Sequence, residues 1–488
     1  MNPFETPPAS PYPSLQPRSS SWYQRFVAAL SFVFVFSYPA SAESQQPVEP
    51  LVADALGDHV GTRDNAIEAL RALGPASLEA LLPPALEASV TKVSATKASL
   101  TEASLATGEQ AALDTLDRVC AMKDCAVSRL FWYTDLDTAL EAARQSDRPV
   151  LSLRLLGRLD EDLSCANSRF FRTALYPDNA VGNLLRDEFV LHWQSVRSVP
   201  RVVVDYGDGR QLEGTLTGNS IHYVLDSQGR LIDALPGLYD PKTFFEEVRA
   251  AGKNARRAAS LSEDKFVPWV QNLHSKKRRN LDASLRADLG KIGFHERFES
   301  LRIELHQLAS SRSTDPSPSA HKAALRATSK AIVEAPVLSR VGRALEAVEP
   351  APGSEIWPLL ANLHLPDVHL DENSLNLLHS THGLPEGPEA RAVIEAFEES
   401  LALDTIRNQQ LWRRTIHLWL EQTTSRPQLE AFNERIYGQL FLTPLDDPWL
   451  GLAPRELYSG LLPPKGQLVG PLVNPHKGVL QQAALELK

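Results

Sequence analysis

Cysteine is scarce. Three occur in 488 residues, Cys120, Cys125 and Cys165, too few for the multi-bridge framework of a small disulfide-held domain, and their odd number leaves at least one thiol outside any internal pair. Long apolar runs are absent after Tyr38, so nothing beyond it reaches the about 20 residues that a membrane-spanning helix needs. No phosphate-cradling glycine loop, Gly-x-Ser-x-Gly elbow or His-Glu-x-x-His helix occurs, so nucleotide-dependent, serine-hydrolase and metalloprotease readings have no support. Positive charge is in deficit, with 50 Lys and Arg against 60 Asp and Glu, which argues against nucleic acid as a partner. The one basic run, Lys276-Lys277-Arg278-Arg279, reads as a solvated helix face.

What is present is a soluble, globular composition, 43% apolar and 23% charged, in a chain long enough for two to four domains. Residues 1–42 have the layout of a signal peptide: a polar, proline-rich stretch to Arg25, an apolar run from Phe26 to Tyr38, and an A-x-A site at Ala40-Ser41-Ala42. The expected mature chain starts at Glu43, carries no membrane span, and resides in the periplasm or outside the cell.

Residues 43–118 read as helical. Ala66, Ile67, Leu70 and Leu73 fall at helical spacing, Gly74-Pro75 breaks the pattern, and Leu78, Leu81 and Leu82 resume it. The stretch Arg63 to Leu70 resembles one HEAT-type repeat, which cannot bury its own face and must dock on a neighbour. Residues 88–108 read as a connector helix.

The period changes over residues 119–255. Asp135 can cap a helix with Leu136, Ala139, Leu140 and Ala143 on its apolar face. Val150 to Leu156 reads as a buried strand, followed by an acidic loop and a helix from about Asn167 to Leu175. Phe189 to Val196 and Arg201 to Tyr206 are strands by their β-branched and aromatic content. Gly207-Asp208-Gly209 turns into Gln211 to Leu216; Ile221 to Leu225 and Leu231 to Leu235 form a second hairpin, and Pro241 opens a helix. Residues 256–488 are again helical in composition, with a linker at 310–320, a proline-rich bend at 347–358, one or two long helices over 389–424, and a loop-like tail from Leu445 that packs back across a groove.

The order from Trp132 to Gly252 resembles the thioredoxin superfamily, specifically its exported members. The likeness is carried by Trp132, Ala139 to Pro149, Val150 to Leu153, Phe189 to Leu191, and Tyr223 to Asp226 with Gly229 and Gly237, about a quarter of the chain. It implies a fold class of an α/β thioredoxin-like domain, a central mixed sheet flanked by helices, embedded in a mostly α-helical chain.

The resemblance places the redox site of that family at Cys165-Ala166-Asn167-Ser168. A helix start lowers a thiol's pKa and so supplies a thiolate. Cys165 stands where the first cysteine would be and Ser168 where the second would be. A Cys-x-x-Ser site can hold a mixed disulfide, with the Ser168 hydroxyl donating to the thiolate, but it needs another thiol to resolve it. Ser220 occupies the position of the family's cis-proline, in Gly218-Asn219-Ser220-Ile221-His222; because a non-proline cis bond costs roughly 2.5–4 kcal/mol, this peptide is expected trans. His222 is either a thiolate partner or an exposed strand histidine, and Arg169 either adds positive potential near the sulfur or is solvated or paired with Asp160, Glu161 or Asp162. Cys120 and Cys125 are five apart and would point about 140° from each other on one helix, so a disulfide between them needs a loop.

His364, His369, His379 and His382 form the densest histidine group, but their spacing matches no metal site. No cofactor and no metal are implied. Two functions remain open: monothiol thiol-disulfide exchange or redox sensing through Cys165, with a protein thiol or disulfide partner in the cell envelope, or a non-catalytic scaffold or binding module.

Overall fold

Strand β2, Val150–Leu156, is buried at every position, as the continuous apolar run Val-Leu-Ser-Leu with Leu155 and Leu156 requires for a central strand. It is the middle strand of a five-stranded sheet in a computed structural model that describes residues 48–57, 59–95, 102–215, 218–310, 352–382 and 387–446. The signal segment, the linker from 311 onward and the tail from 447 onward lie outside the described residues.

The sheet order is β1-β3-β2-β6-β7, with β1 (Trp132–Tyr133), β3 (Val190–Arg197), β6 (Ser220–Leu225) and β7 (Leu231–Pro236). β1, β3 and β2 run parallel, and β6 and β7 are antiparallel to their neighbours. Between β3 and β6 a separate hairpin, β4 (Arg201–Asp205) with β5 (Gln211–Thr215), turns at Gly207 and Gly209, both at positive φ. It leaves Val203, Tyr206 and Leu212 exposed.

The rest is mostly helical. Before the sheet come α1 (Val48–Ala55), α2 (Val60–Ala72), α3 (Pro75–Ala95), α4 (Glu102–Cys120) and the short α5 (Cys125–Ser128). Ala66, Ile67 and Leu70 are the buried face of α2, as their spacing predicts, whereas Leu73, just past its end, is exposed. That helix docks through Arg71, whose guanidinium donates to the carbonyls of Val119 at 2.8 Å and Trp132 at 3.2 Å. Within the sheet region lie α6 (Leu136–Ser146), α7 (Ala166–Phe170) with a π turn Phe171–Leu175, α8 (Asn179–Glu188) and α9 (Pro241–Ala259). Asp135 caps α6 by accepting from Thr138 N at 2.7 Å, and Asp178 caps α8 in the same way at Val181.

The C-terminal helices are α10 (Glu263–Lys291), α11 (Phe298–Ser310), α12 (Trp357–His364), α13 (Glu372–His382), α14 (Pro388–Arg407), a π turn Asn408–Arg413, α15 (Arg414–Glu421) and α16 (Leu429–Arg435) with a π turn Ile436–Leu440. They do not form a core of their own. One connected apolar cluster runs from Val52 through the sheet to Phe441, so the strands and the last helices exclude water together. The basic run lies on α10 and is only half solvated: Lys277 bonds Asp233 at 2.7 Å and Arg278 bonds Glu421 at 2.7 Å, while Lys276 and Arg279 are exposed.

Candidate functional site

Cys165 is the residue before α7, in extended conformation at φ −61 and ψ 156, at the helix start where its place in the sequence puts it. Its surroundings differ from those of a reactive thiol. The residue is fully buried and outside the disulfide. Gly218 lies against it so closely that a Cβ there would meet the Cys165 Cβ at 2.6 Å and the Ala166 nitrogen at 2.9 Å.

Ser168 is also fully buried, and its hydroxyl donates to the Cys165 carbonyl at 2.9 Å. A hydroxyl has one proton to give, so the proton expected to face the sulfur is spent on the backbone. Asn167 Nδ2 donates to Ser220 Oγ at 2.9 Å, which ties the helix start to the start of β6. The Asn219–Ser220 peptide is trans, as expected. Arg169 is half-buried and donates to the carbonyl of Ser164 at 3.1 Å and to Thr215 Oγ1 at 3.3 Å. Arg158 takes Asp160 and Glu161 instead.

The chain's own C-terminal segment closes the site. Tyr437 Oη donates to the Asn219 carbonyl at 3.1 Å, and Asn219 Nδ2 donates to Thr443 Oγ1 at 3.0 Å. Burial pushes the phenols of Tyr176 and Tyr437 well above the ordinary range, with the neighbouring Cys165 adding to both.

His222 is not the exposed strand residue that one reading anticipates. β6 is buried along its whole length because it lies between β2 and β7 with helices on both faces. The His222 ring packs on Phe171 and Phe244, its Nε2 is 2.8 Å from Tyr176 Oη, and burial lowers its pKa to about 3. It is a neutral ring in an apolar layer, bonded to Tyr176.

Cys120 and Cys125 are joined by a disulfide with Cα atoms 6.3 Å apart, inside the usual range. The loop that such a bridge needs is present: α4 ends at Cys120, and Ala121 and Asp124 take left-handed conformations. Asp117 accepts from the Cys125 N–H at 3.0 Å, and Trp193 Nε1 donates to the Ala121 carbonyl at 2.7 Å. Both cysteines are therefore committed to each other and neither serves as a resolving thiol for Cys165.

Two buried polar groupings escaped the sequence reading. On the other face of the sheet, Arg154 donates to Ser152 Oγ at 3.1 Å and to Glu430 at 2.7 Å, while Ser152 Oγ is 2.9 Å from His192 Nδ1. Burial, then Arg154, lowers the His192 pKa to about 3. At the sheet edge, Asp233, His274 and His417 bring a carboxylate oxygen and two ring nitrogens within 4.8 Å of one another, a spacing that also suits a divalent ion. These residues do not fit one, because Asp233 Oδ2 already accepts from Lys277 at 2.7 Å and Arg413 at 2.9 Å, and two more positive charges there would have no counter-charge. The available signal was a lone Asp inside the apolar strand Leu231–Pro236. Of the histidine group that sequence density singled out, His364 pairs with Asp288 at 2.9 Å.

No family model, no curated protein and no solved structure matches this chain.

Proposed function

We propose that this protein is a non-catalytic scaffold or binding module of the cell envelope, built on a thioredoxin-like fold whose redox position has become structural. The observation that carries this reading is the closure of the Cys165 site: a fully buried sulfur-bearing residue under Gly218, with Asn219 already bonded to Tyr437 and Thr443 of the same chain. A thiolate nucleophile needs solvent access, and Cys165 is fully buried.

The fold assignment is supported by the strand order β1-β3-β2-β6-β7, by three parallel strands followed by an antiparallel pair, and by a helix that starts just after the loop leaving β2. The superfamily resembled has that arrangement. The hairpin β4–β5 stands where that fold usually carries a helix, and α16 with its π turn covers the adjoining sheet face through Glu430, Asn433 and Tyr437. Export is supported by the apolar run and A-x-A site of residues 26–42, and by the Cys120–Cys125 disulfide, which persists in an oxidising compartment.

The test is alkylation of the purified protein starting at Glu43 with iodoacetamide from pH 6 to 10, the modified residue being located by peptide mass spectrometry. With the disulfide intact, Cys165 is the one thiol to follow. The expected result is no labelling in buffer and full labelling in denaturant. Labelling that titrates well below the ordinary thiol value of about 8.5 would overturn the scaffold reading in favour of monothiol exchange through Cys165.

A further inference from the structure

Strand β7 is an outer strand of the sheet, and its fully buried Asp233 anchors the C-terminal helices to that edge. Besides the bonds from Lys277 and Arg413 to Oδ2, its Oδ1 accepts the Ala234 N–H at 2.9 Å. Glu247 on α9 takes the other arm of Arg413 at 2.6 Å and lies 3.6 Å from Lys277. Two carboxylates and two cations balance within this seam.

His274 on α10 and His417 on α15 complete it. The His274 Nε2 is 3.0 Å from the Ile232 carbonyl; a carbonyl can only accept, so that nitrogen carries a proton. The two Nδ1 atoms are 3.0 Å apart, and a single proton can lie between them. With both rings neutral, His417 donates and His274 accepts. The charged groups facing the pair from the elements packed on it are Asp233 of β7, Lys277 of α10 and Arg413 of the π turn, with Glu247 of α9 and Tyr239 of the following loop facing Arg413.

Uptake of one proton preserves an N–H···N bond but leaves an uncompensated positive charge in a dry site that holds Arg413 and Lys277. A second proton sets two N–H groups against each other. The geometry points to an acid-operated latch: proton uptake by the His274–His417 pair releases α10 and α15 from the β7 edge while the sheet remains folded. Burial lowers the His274 pKa to about 4 and holds His417 well below its ordinary value, and Arg413 and Lys277 act in the same direction on both. Asp233 opposes them. In an opened state both rings titrate near 6.5, so the opened population rises about tenfold per pH unit for each histidine that gains a proton on opening.

Hydrogen exchange with mass-spectrometric readout, corrected for the intrinsic pH dependence, tests this from pH 7 to 4.5 on the folded chain. Peptides from 263–291 and 408–421 should lose protection at least about 100-fold between pH 6.5 and 4.5, and at higher pH than peptides from β2 and β3. Parallel loss in both sets at every pH overturns the latch, since it reports only global unfolding. In the variant His274→Gln with His417→Asn, which keeps N–H donors but cannot titrate, the pH dependence of α10 and α15 should vanish while that of β2 and β3 persists. An unchanged slope in that variant overturns it as well. If that variant fails to fold, the order of protection loss in the natural chain decides alone.

Discussion

Gly218→Ala would probe the closure of the Cys165 site most directly. The added Cβ meets the Cys165 Cβ at 2.6 Å, the Ala166 nitrogen at 2.9 Å and the Cys165 Cα at 3.2 Å, atoms on or next to backbone that cannot swing aside. Overpacking of this kind costs about 1–3 kcal/mol. If the cost falls on the contact between Gly218 and the helix start, the population with an accessible thiol rises about 5- to 150-fold, since each 1.4 kcal/mol is worth a factor of ten. The assay is the pseudo-first-order rate of Cys165 alkylation in buffer, read beside the urea midpoint. Gly252→Ala is the control: its Cβ would meet the Phe189 ring Cζ at 2.6 Å, a contact in the α9 packing away from Cys165. Gly252→Ala should raise the rate no more than its loss of global stability requires, whereas Gly218→Ala should exceed that allowance. A Gly218→Ala rate within about twofold of the natural chain, or one that tracks global stability as the control does, would refute the idea that Gly218 is the lid on this thiol.

Cys120→Ser with Cys125→Ser opens a loop of six residues and should cost about 2 kcal/mol by chain-entropy arithmetic, measured as a shift in urea midpoint; a loss under about 0.5 kcal/mol would mean that Asp117 and Trp193 hold the loop unaided. Arg413→Met removes a fully buried guanidinium from between Asp233 and Glu247 and should cost about 3–5 kcal/mol, part of it recovered by adding Asp233→Asn; full additivity of the two changes would contradict the pairing. His192 and His222 have native values lowered to about 3 against 6.5 in the unfolded chain. Their contribution is complete above pH 6.5 and is lost as pH falls toward 3, at about 1.4 kcal/mol per unit for each ring. Asp117, raised to about 6 chiefly by burial, has the opposite sign and takes stability away as pH rises from 3.8 to 6. Urea midpoints at pH 7, 5.5 and 4.5 should therefore fall, less steeply in His222→Gln; equal midpoints would contradict neutral buried imidazoles.

Strands β2 to β7, their turns, the cap at Asp135 and the helix start at Pro241 were legible because each depends on neighbours within a few residues. Gly229 at φ 78 and the Asp226 side chain, which accepts from Gln228 N at 3.0 Å, form a turn that its own four residues specify. What covers the Cys165 site was not legible, since Tyr437 and Thr443 meet Asn219 across 218 and 224 residues. The same long range hid the burial of His222 and Lys277: a strand or helix pattern read alone cannot say how many faces a neighbour will cover. Arg413, Arg414 and His417 inside the apolar stretch from Leu411 to Leu420 were the local sign of a buried polar seam. Arg413 joins Lys277 on Asp233, and Arg414 takes Asp282.

That seam also fixes an order of events during synthesis. Asp233 and Arg413 are 180 residues apart, and Arg154 and Glu430 are 276 apart. At roughly 5–20 residues per second, the ribosome takes about 9–36 s to go from Asp233 to Arg413. Throughout that interval β7 holds a carboxylate whose guanidinium partner does not yet exist, and the polar face of β2 lacks α16. The sheet can begin to pair but cannot become dry, so the nascent chain carries an unfinished, adhesive edge until its last helices emerge. The C-terminal helices thus set the earliest moment at which the β7 edge and the polar face of β2 can be completed.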